Sequence, residues 1–182
     1  MKKEINEQVL YHLESNNLIH DRQYGLKQFR STGDILAHTT HIWNKALETG
    51  KETFVIGLVI SKAFDPVWHK HLLAKLPAFG LPPCLFKGLE SFLSNRSIKV
   101  EVDRISSSSF NTNAGVPQGS VISPTLFIIY INDLLNFPSN PIHCYADDST
   151  LHNAQSLLHN RTNTASSINL DFSRLKHSES HN

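Results

Sequence analysis

Cysteine is scarce: Cys84 and Cys144 are the only two in 182 residues. That excludes a cysteine-based zinc centre and allows at most one disulfide, with reduced thiols of an intracellular protein the simpler reading. An excess of charge of one sign is missing too. The 17 Lys and Arg balance 16 Asp and Glu, for a formal charge of +1. No basic surplus announces a nucleic-acid binder, although a local patch still steers a polyanion when the total is neutral. Long apolar runs are absent: none approaches the ~18 residues of a membrane span, and the opening MKKEINEQVL has no apolar signal core. The expectation is an intracellular chain, in cytoplasm or nucleus, neither secreted nor partnered by a membrane. Internal repeats are not visible. Histidine is plentiful at 11, but His38/His41 and His69/His71 lack a third ligand at a recognisable zinc spacing. What remains is 40% hydrophobic, enough for one domain with a sizeable core.

The patterning gives helices and antiparallel hairpins without regular βαβ alternation, so the expected class is α+β. Ile5, Val9 and Leu13 mark an amphipathic helix from Lys2 to about Asn16. A polar stretch through Asp21, Arg22 and Gln23 follows. Ser31 or Thr32 caps a second helix, Asp34 to Glu48, with Ile35, Ile42, Trp43 and Leu47 as core candidates and Gly50 as its stop. The run TFVIGLVI, Thr53 to Ile60, reads as a buried strand. Trp68 to Phe79 is helical in pattern and stops at Gly80; Pro82-Pro83 opens a helix to about Leu93. Strands are expected at Ile98–Asp103 and Ser108–Asn113 around a serine loop, Ser106 to Ser109. Ser123-Pro124 starts a helix through about Leu135 that is apolar almost all round. Ile142–Tyr145 and Ser149–His152 bracket Asp147-Asp148 as a hairpin, and Ser166 to Lys176 suits a last helix.

Three constellations bear on chemistry. Adjacent carboxylates at Asp147-Asp148 repel, and a divalent cation relieves that repulsion. Magnesium takes one or two carboxylates plus substrate phosphates, and two such ions about 3.5–4 Å apart stabilise both oxygens of an in-line displacement. Taken alone the pair is more simply a solvated turn, because Asp is a common turn former. Pro117-Gln118-Gly119-Ser120, with Gly115 before it, allows close backbone approach to a nucleotide or template strand, or is simply a loop. Ser61-Lys62-Ala63-Phe64-Asp65 follows the apolar strand, and Phe64 suits either the floor of a nucleotide pocket or a core turn.

Together these segments follow one pattern in order and spacing. SKAFDPVWHKHLLAKLPAFGLP, then NAGVPQGSVISPTLFIIYINDL, then CYADDSTL resemble reverse transcriptases of non-LTR retrotransposons, particularly the jockey-like elements of arthropods. Tyr24 to Thr32, YGLKQFRST, looks like the preceding fingers motif, and the resemblance covers roughly Lys3 to His152. It implies an antiparallel palm sheet backed by helices, with partial fingers over 1–52, palm over 53–155 and a polar tail over 156–182. It also implies magnesium, an RNA template, a DNA primer and deoxynucleotide triphosphates. By the resemblance Asp147 and Asp148 ligate metal, Asp147 the more strongly. Phe64 stands at the gate sensing the nucleotide 2′ position, Gln118 and Gly119 border nucleotide and template, and Arg30 with Lys27 lies near template or triphosphate.

The pattern breaks at Val59, which occupies the position of the family's first metal-binding aspartate. A valine side chain offers no oxygen to a hard cation. Asp65 lies six residues on, roughly 9 Å away if helical and up to about 20 Å if extended, too far to substitute. Valine suits a strand, so folding and catalysis separate at this position. Leu26, Lys27 and Phe29 also replace the family's usual phenylalanine, arginine and glycine. The chain starts after the first fingers motif and stops before the lysine-bearing palm motif, primer grip and thumb, as a fragment of such an enzyme would. The expectation is a folded domain with impaired polymerase chemistry; the alternatives are a non-catalytic nucleic-acid-binding module and a remnant of a decayed retrotransposon.

Overall fold

A computed structural model describes residues 2–60, 62–156 and 161–180. Ser61, which opens the SKAFD run, and residues 157–160 of the tail lie outside the described residues. In chain order the elements begin with α1 (Lys2–Ser15), α2 (Thr32–Glu48), β1 (Lys51–Val59), α3 (His69–Lys75) and α4 (Pro83–Leu93). Four short strands follow: β2 (Ser97–Ile98), β3 (Glu101–Val102), β4 (Ile105–Ser106) and β5 (Phe110–Asn111). The rest are α5 (Ser123–Ile131), which ends short of the expected Leu135 in a 3₁₀ turn (Asn132–Asn136), then β6 (Ile142–Tyr145), β7 (Asp148–Ser156) and α6 (Arg161–Ser180). All the ladders of these strands are antiparallel, and the class is α+β. The chain divides into two compact units, Met1–Leu18 with Lys62–Tyr130 and Ile19–Ser61 with Ile131–Asn182.

In the first unit α1 buries Val9 and Leu13, one turn apart, and α4 buries Leu85, Leu89 and Leu93 at the same spacing. The expected helix to Phe79 is α-helical only to Lys75. Leu76–Phe79 tightens into a 3₁₀ turn, because Pro77 has no N–H to donate, and Gly80 ends it at φ +60. Leu126, Phe127, Ile128 and Ile129 of α5 are all at most 2% exposed, as an all-round apolar helix requires. The hairpin of this unit differs from expectation. Its tip is Asp103-Arg104, both at positive φ (50° and 67°), with Val102 paired to Ile105. The serines lie within the returning limb instead. Ser106 pairs with Glu101, and Ser107 exchanges bonds with Val100 through its amide and hydroxyl. One more residue on that limb than on its partner shifts the register between the two ladders, a bulge.

In the second unit Ser31 caps α2, and its side chain and that of Asp34 form a capping box. Ile35, Thr39, Ile42 and Ala46 lie along one stripe of α2. Leu47, expected in the core, is 63% exposed because twelve residues from Ile35 bring it about 120° round the helix. The sheet order is β1-β7-β6. Leu135, Ile142, Cys144, Leu151 and Ile168 form an apolar cluster against one face, joined by Phe54, Ile56 and Leu58. β1 is therefore half-buried rather than buried on both faces: Val55 and Val59 point to the other side, at 44% and 72% exposure. The tail helix is longer than expected and is tied down by Asp171, itself 0% exposed. Its carboxylate accepts from the Ser139 and Asn140 amides at 2.9 and 2.8 Å and from Asn140 Nδ2 at 2.6 Å. Burial pushes the Asp171 carboxyl up, but the bonds from Ser139 and Asn140 outweigh it and the net direction is down.

Candidate active site

The Asp147-Asp148 hairpin is built by the β6·β7 ladder. Tyr145 pairs with Asp148, which leaves Ala146-Asp147 as the two turn residues. Ala146 sits at φ +56, at the first central position, where glycine is usual. Holding an alanine there costs about 1 kcal/mol. β1 lies against the same strand, with Val59 opposite Asp148, and the Ile60 amide donates to the Asp147 carbonyl at 3.3 Å. Directly paired residues stand about 4.5–5.5 Å apart at Cα with side chains on one face. The position expected to hold a third carboxylate is therefore directly across from Asp148, and it holds an exposed hydrocarbon.

Residues 22–25, where the polar stretch of Asp21, Arg22 and Gln23 meets the Tyr24–Thr32 run, lie along β6. Tyr24 N donates to Cys144 O at 2.8 Å and Cys144 N to Arg22 O at 2.9 Å, around a parallel bridge between Gln23 and Cys144. Gln23 is fully buried. Its Oε1 accepts from the amides of Gly25 and Ala146, both at 3.0 Å, and its Nε2 donates to Ala146 O at 3.4 Å. Sequence reasoning missed Gln23, because a buried glutamine in a loop has no periodic signature, and gave Gly25 no role within the Tyr24–Thr32 run. Beyond them Arg30 places its guanidinium 4.9 Å from the Tyr24 ring centroid, and Lys27 pairs with Asp21 at 3.3 Å. Arg30 and Lys27 thus sit in the same unit as the aspartates.

Phe64, Gln118 and Gly119 belong to the first unit, which brings their two loops together. Val116 N donates to Phe64 O at 3.0 Å and Gly115 N to Val67 O at 2.9 Å. A side chain at Gly115 (φ +88) would meet Asp65 backbone at 3.5 Å. Phe64 packs on Phe127, ring centroids 5.3 Å apart. Gln118 and Gly119 are exposed, and Gly119 (φ +80) has open space where a Cβ would stand.

Histidines gather under α2 in the second unit. His143 of β6 stacks on His152 of β7, centroids 5.1 Å apart and planes within 6°, and His38 of α2 lies 4.9 Å from His143. His143 Nδ1 and both His152 ring nitrogens are buried without a hydrogen-bond partner. Burial, then the neighbouring His152 and His38, push His143 down to about 4; burial likewise lowers His152. Parallel stacked rings do not converge their nitrogens on one point. Among the described residues no group of three or more His, Cys, Asp or Glu could hold a metal ion.

The donor set at the hairpin fits one hard cation: two adjacent carboxylates, with phosphate or water oxygens completing the shell, are a usual magnesium arrangement. It does not fit a pair of ions sharing a further carboxylate from β1, because Val59 stands there. Paired carboxylates at a hairpin of a helix-backed antiparallel sheet are equipment suited to metal-assisted nucleotidyl transfer. The chain matches the family described as Reverse transcriptase (RNA-dependent DNA polymerase) over residues 1–176, and it belongs to that family. Its kinship is with jockey-like, non-LTR elements. It is 37% identical to the RNA-directed DNA polymerase from mobile element jockey of Drosophila melanogaster over 112 residues, 62% of this chain and 12% of the relative. Against the protein of the same description from Drosophila funebris the identity is 38% over 114 residues, 63% of this chain and 12% of the relative. The probable RNA-directed DNA polymerase from transposon X-element of Drosophila melanogaster is 31% identical over 122 residues, 67% of this chain and 13% of the relative. The matches thus span no more than 13% of the length of these relatives.

Proposed function

We propose that this chain is the fingers-and-palm portion of a jockey-like RNA-directed DNA polymerase whose metal site lacks one carboxylate, so that its polymerase chemistry is severely impaired or absent. Residues 1–52 are the partial fingers, 53–155 the palm and 156–182 a polar tail. The observation that carries the reading is the pairing of Val59 with Asp148, which sets a hydrocarbon across from one of the two aspartates. Bound magnesium supplies charge neutralisation of phosphate oxygens during nucleotidyl transfer. Asp147 and Asp148 hold that ion, Asp147 the more strongly. Phe64 fills the space at the sugar of the incoming deoxynucleotide triphosphate, and Gln118 and Gly119 offer polar and backbone contact to nucleotide and template. Arg30 and Lys27 attract the RNA template or the triphosphate by charge.

A magnesium-dependent primer-extension assay on an RNA template, run on the unmodified chain and on Val59→Asp, tests this. The unmodified chain is expected to extend no primer above background, and Val59→Asp to extend it measurably. Robust synthesis by the unmodified chain sinks the reading. Salt-dependent primer–template binding with no synthesis by either protein favours a non-catalytic nucleic-acid-binding module.

A further inference from the structure

We infer that Gln23 is a positioning residue for the Asp147-Asp148 hairpin, holding Ala146 in its left-handed conformation and so fixing the direction of both carboxylates. The inference rests on reading Asp147 and Asp148 as metal ligands. Its geometry is independent of that reading. Ala146 is the residue immediately before the carboxylates, and its φ of +56 is one that alanine adopts reluctantly. Such a conformation persists where the surroundings over-determine it, and this happens most often at functional sites. Both backbone polar groups of Ala146 are bonded to one side chain, that of Gln23: the amide to Oε1 and the carbonyl to Nε2.

An alternative partner for these groups is not supplied by the ladder, because Tyr145 and Asp148 close it and leave the turn outside. The same Oε1 also accepts from Gly25 N, so Gln23 is fixed from its own side before it reaches the turn. At 0% exposure it is shielded from bulk water. Gln23 therefore links the segment carrying Lys27 and Arg30 to the turn that carries the two carboxylates. A glutamine suits the task because one planar amide presents an acceptor and a donor, matching the amide and carbonyl of a single residue. Partners behind metal ligands typically change metal affinity by about 10–100-fold when lost.

The test uses the full chain with Mn²⁺ as probe, its binding followed by electron paramagnetic resonance and backbone order by amide hydrogen exchange. Gln23→Met keeps the volume and removes both bonds to Ala146 together with the one from Gly25 N. It is expected to weaken Mn²⁺ binding about tenfold and to speed exchange at Ala146, while Leu151 within the ladder stays protected. Adding Ala146→Gly restores the binding in the Gln23→Met background, because glycine adopts positive φ without help. Unchanged Mn²⁺ affinity in Gln23→Met, or no recovery in the double variant, overturns the inference. Should Gln23→Met not fold, the unmodified chain decides: a protected Ala146 amide supports the clamp, and exchange at the rate of a free peptide overturns it. If the unmodified chain binds no Mn²⁺, the metal reading fails, and the exchange rates at Ala146 still decide the clamp.

Discussion

Gly25→Ala is expected to lower the stability of the chain by about 3–4 kcal/mol, a loss set by backbone geometry and not by side-chain chemistry. A Cβ at Gly25 would lie 2.3 Å from Ala146 N and 3.1 Å from both Ala146 Cα and Tyr145 C. All three are main-chain atoms, so no flexible side-chain end is available to yield. Relief requires residues 22–25 to separate from β6 and its turn. That breaks Tyr24 N to Cys144 O, Cys144 N to Arg22 O and the two bonds between the Gln23 side chain and Ala146. At about 1 kcal/mol net for each bond, the total is a large share of the roughly 5–15 kcal/mol that keeps a domain folded. Gly57→Ala on β1 is the control, since a Cβ there meets nothing within 4 Å. It should be neutral or stabilise by up to about 1 kcal/mol. Urea unfolding of both variants reads the contrast; similar midpoints for the two would refute the close-contact argument.

Acid is expected to unfold the second unit through its histidines. His143 is 5% exposed and pushed from 6.5 to about 4. A histidine whose folded value is depressed binds its proton more readily when unfolded. Its neutral form thus contributes stability above pH 6.5, and that contribution is lost as pH falls from 6.5 towards 4. The shift corresponds to about 3 kcal/mol from this residue, and His152 moves the same way. The groups facing the pair add to the effect: His38 from α2, and Arg22 with His20 from the segment beside β6, all of which disfavour a further positive charge. On the β1 side His152 is opposite Val55, which supplies no compensating carboxylate. His143→Phe keeps an aromatic ring in the stack and removes the titration. Thermal or urea melts between pH 4 and 7.5 should show a steep pH dependence in the unmodified chain and a shallower one in His143→Phe. Parallel curves for the two proteins would count against His143 as the source.

Local signals in the sequence locate most of the helices because their causes are local. Ser31 with Asp34, Pro83, Gly50 and Gly80 act within one turn of where they stand, and the helices they bound lie there. The hairpin around Asp147-Asp148 is legible for the same reason. Features decided by distant partners are not. Whether β1 is covered on one face or two depends on which side Ile168 and Leu135 pack, and TFVIGLVI is apolar in either case. The hairpin tip at Asp103-Arg104 escapes notice because neither residue is the glycine that two positive φ values usually select, while the serine run beside it imitates a loop. Of the candidate site, the aspartates and the valine opposite them are readable from motif order. Gln23 and Gly25 are not, since their roles exist only once residues 22–25 lie along β6, more than a hundred positions away in the chain.

Counting bound ions tests most directly the proposed metal site, two aspartates on an intact fold with Val59 where a third carboxylate is expected. Mn²⁺ titration of the unmodified chain and of Val59→Asp, followed by electron paramagnetic resonance, should show one weakly held ion in the first. In the second, a carboxylate paired across the strands with Asp148 should tighten binding by about tenfold or more, equivalent to roughly 1.4 kcal/mol. Equal affinity and equal stoichiometry in two equally folded proteins would contradict the account.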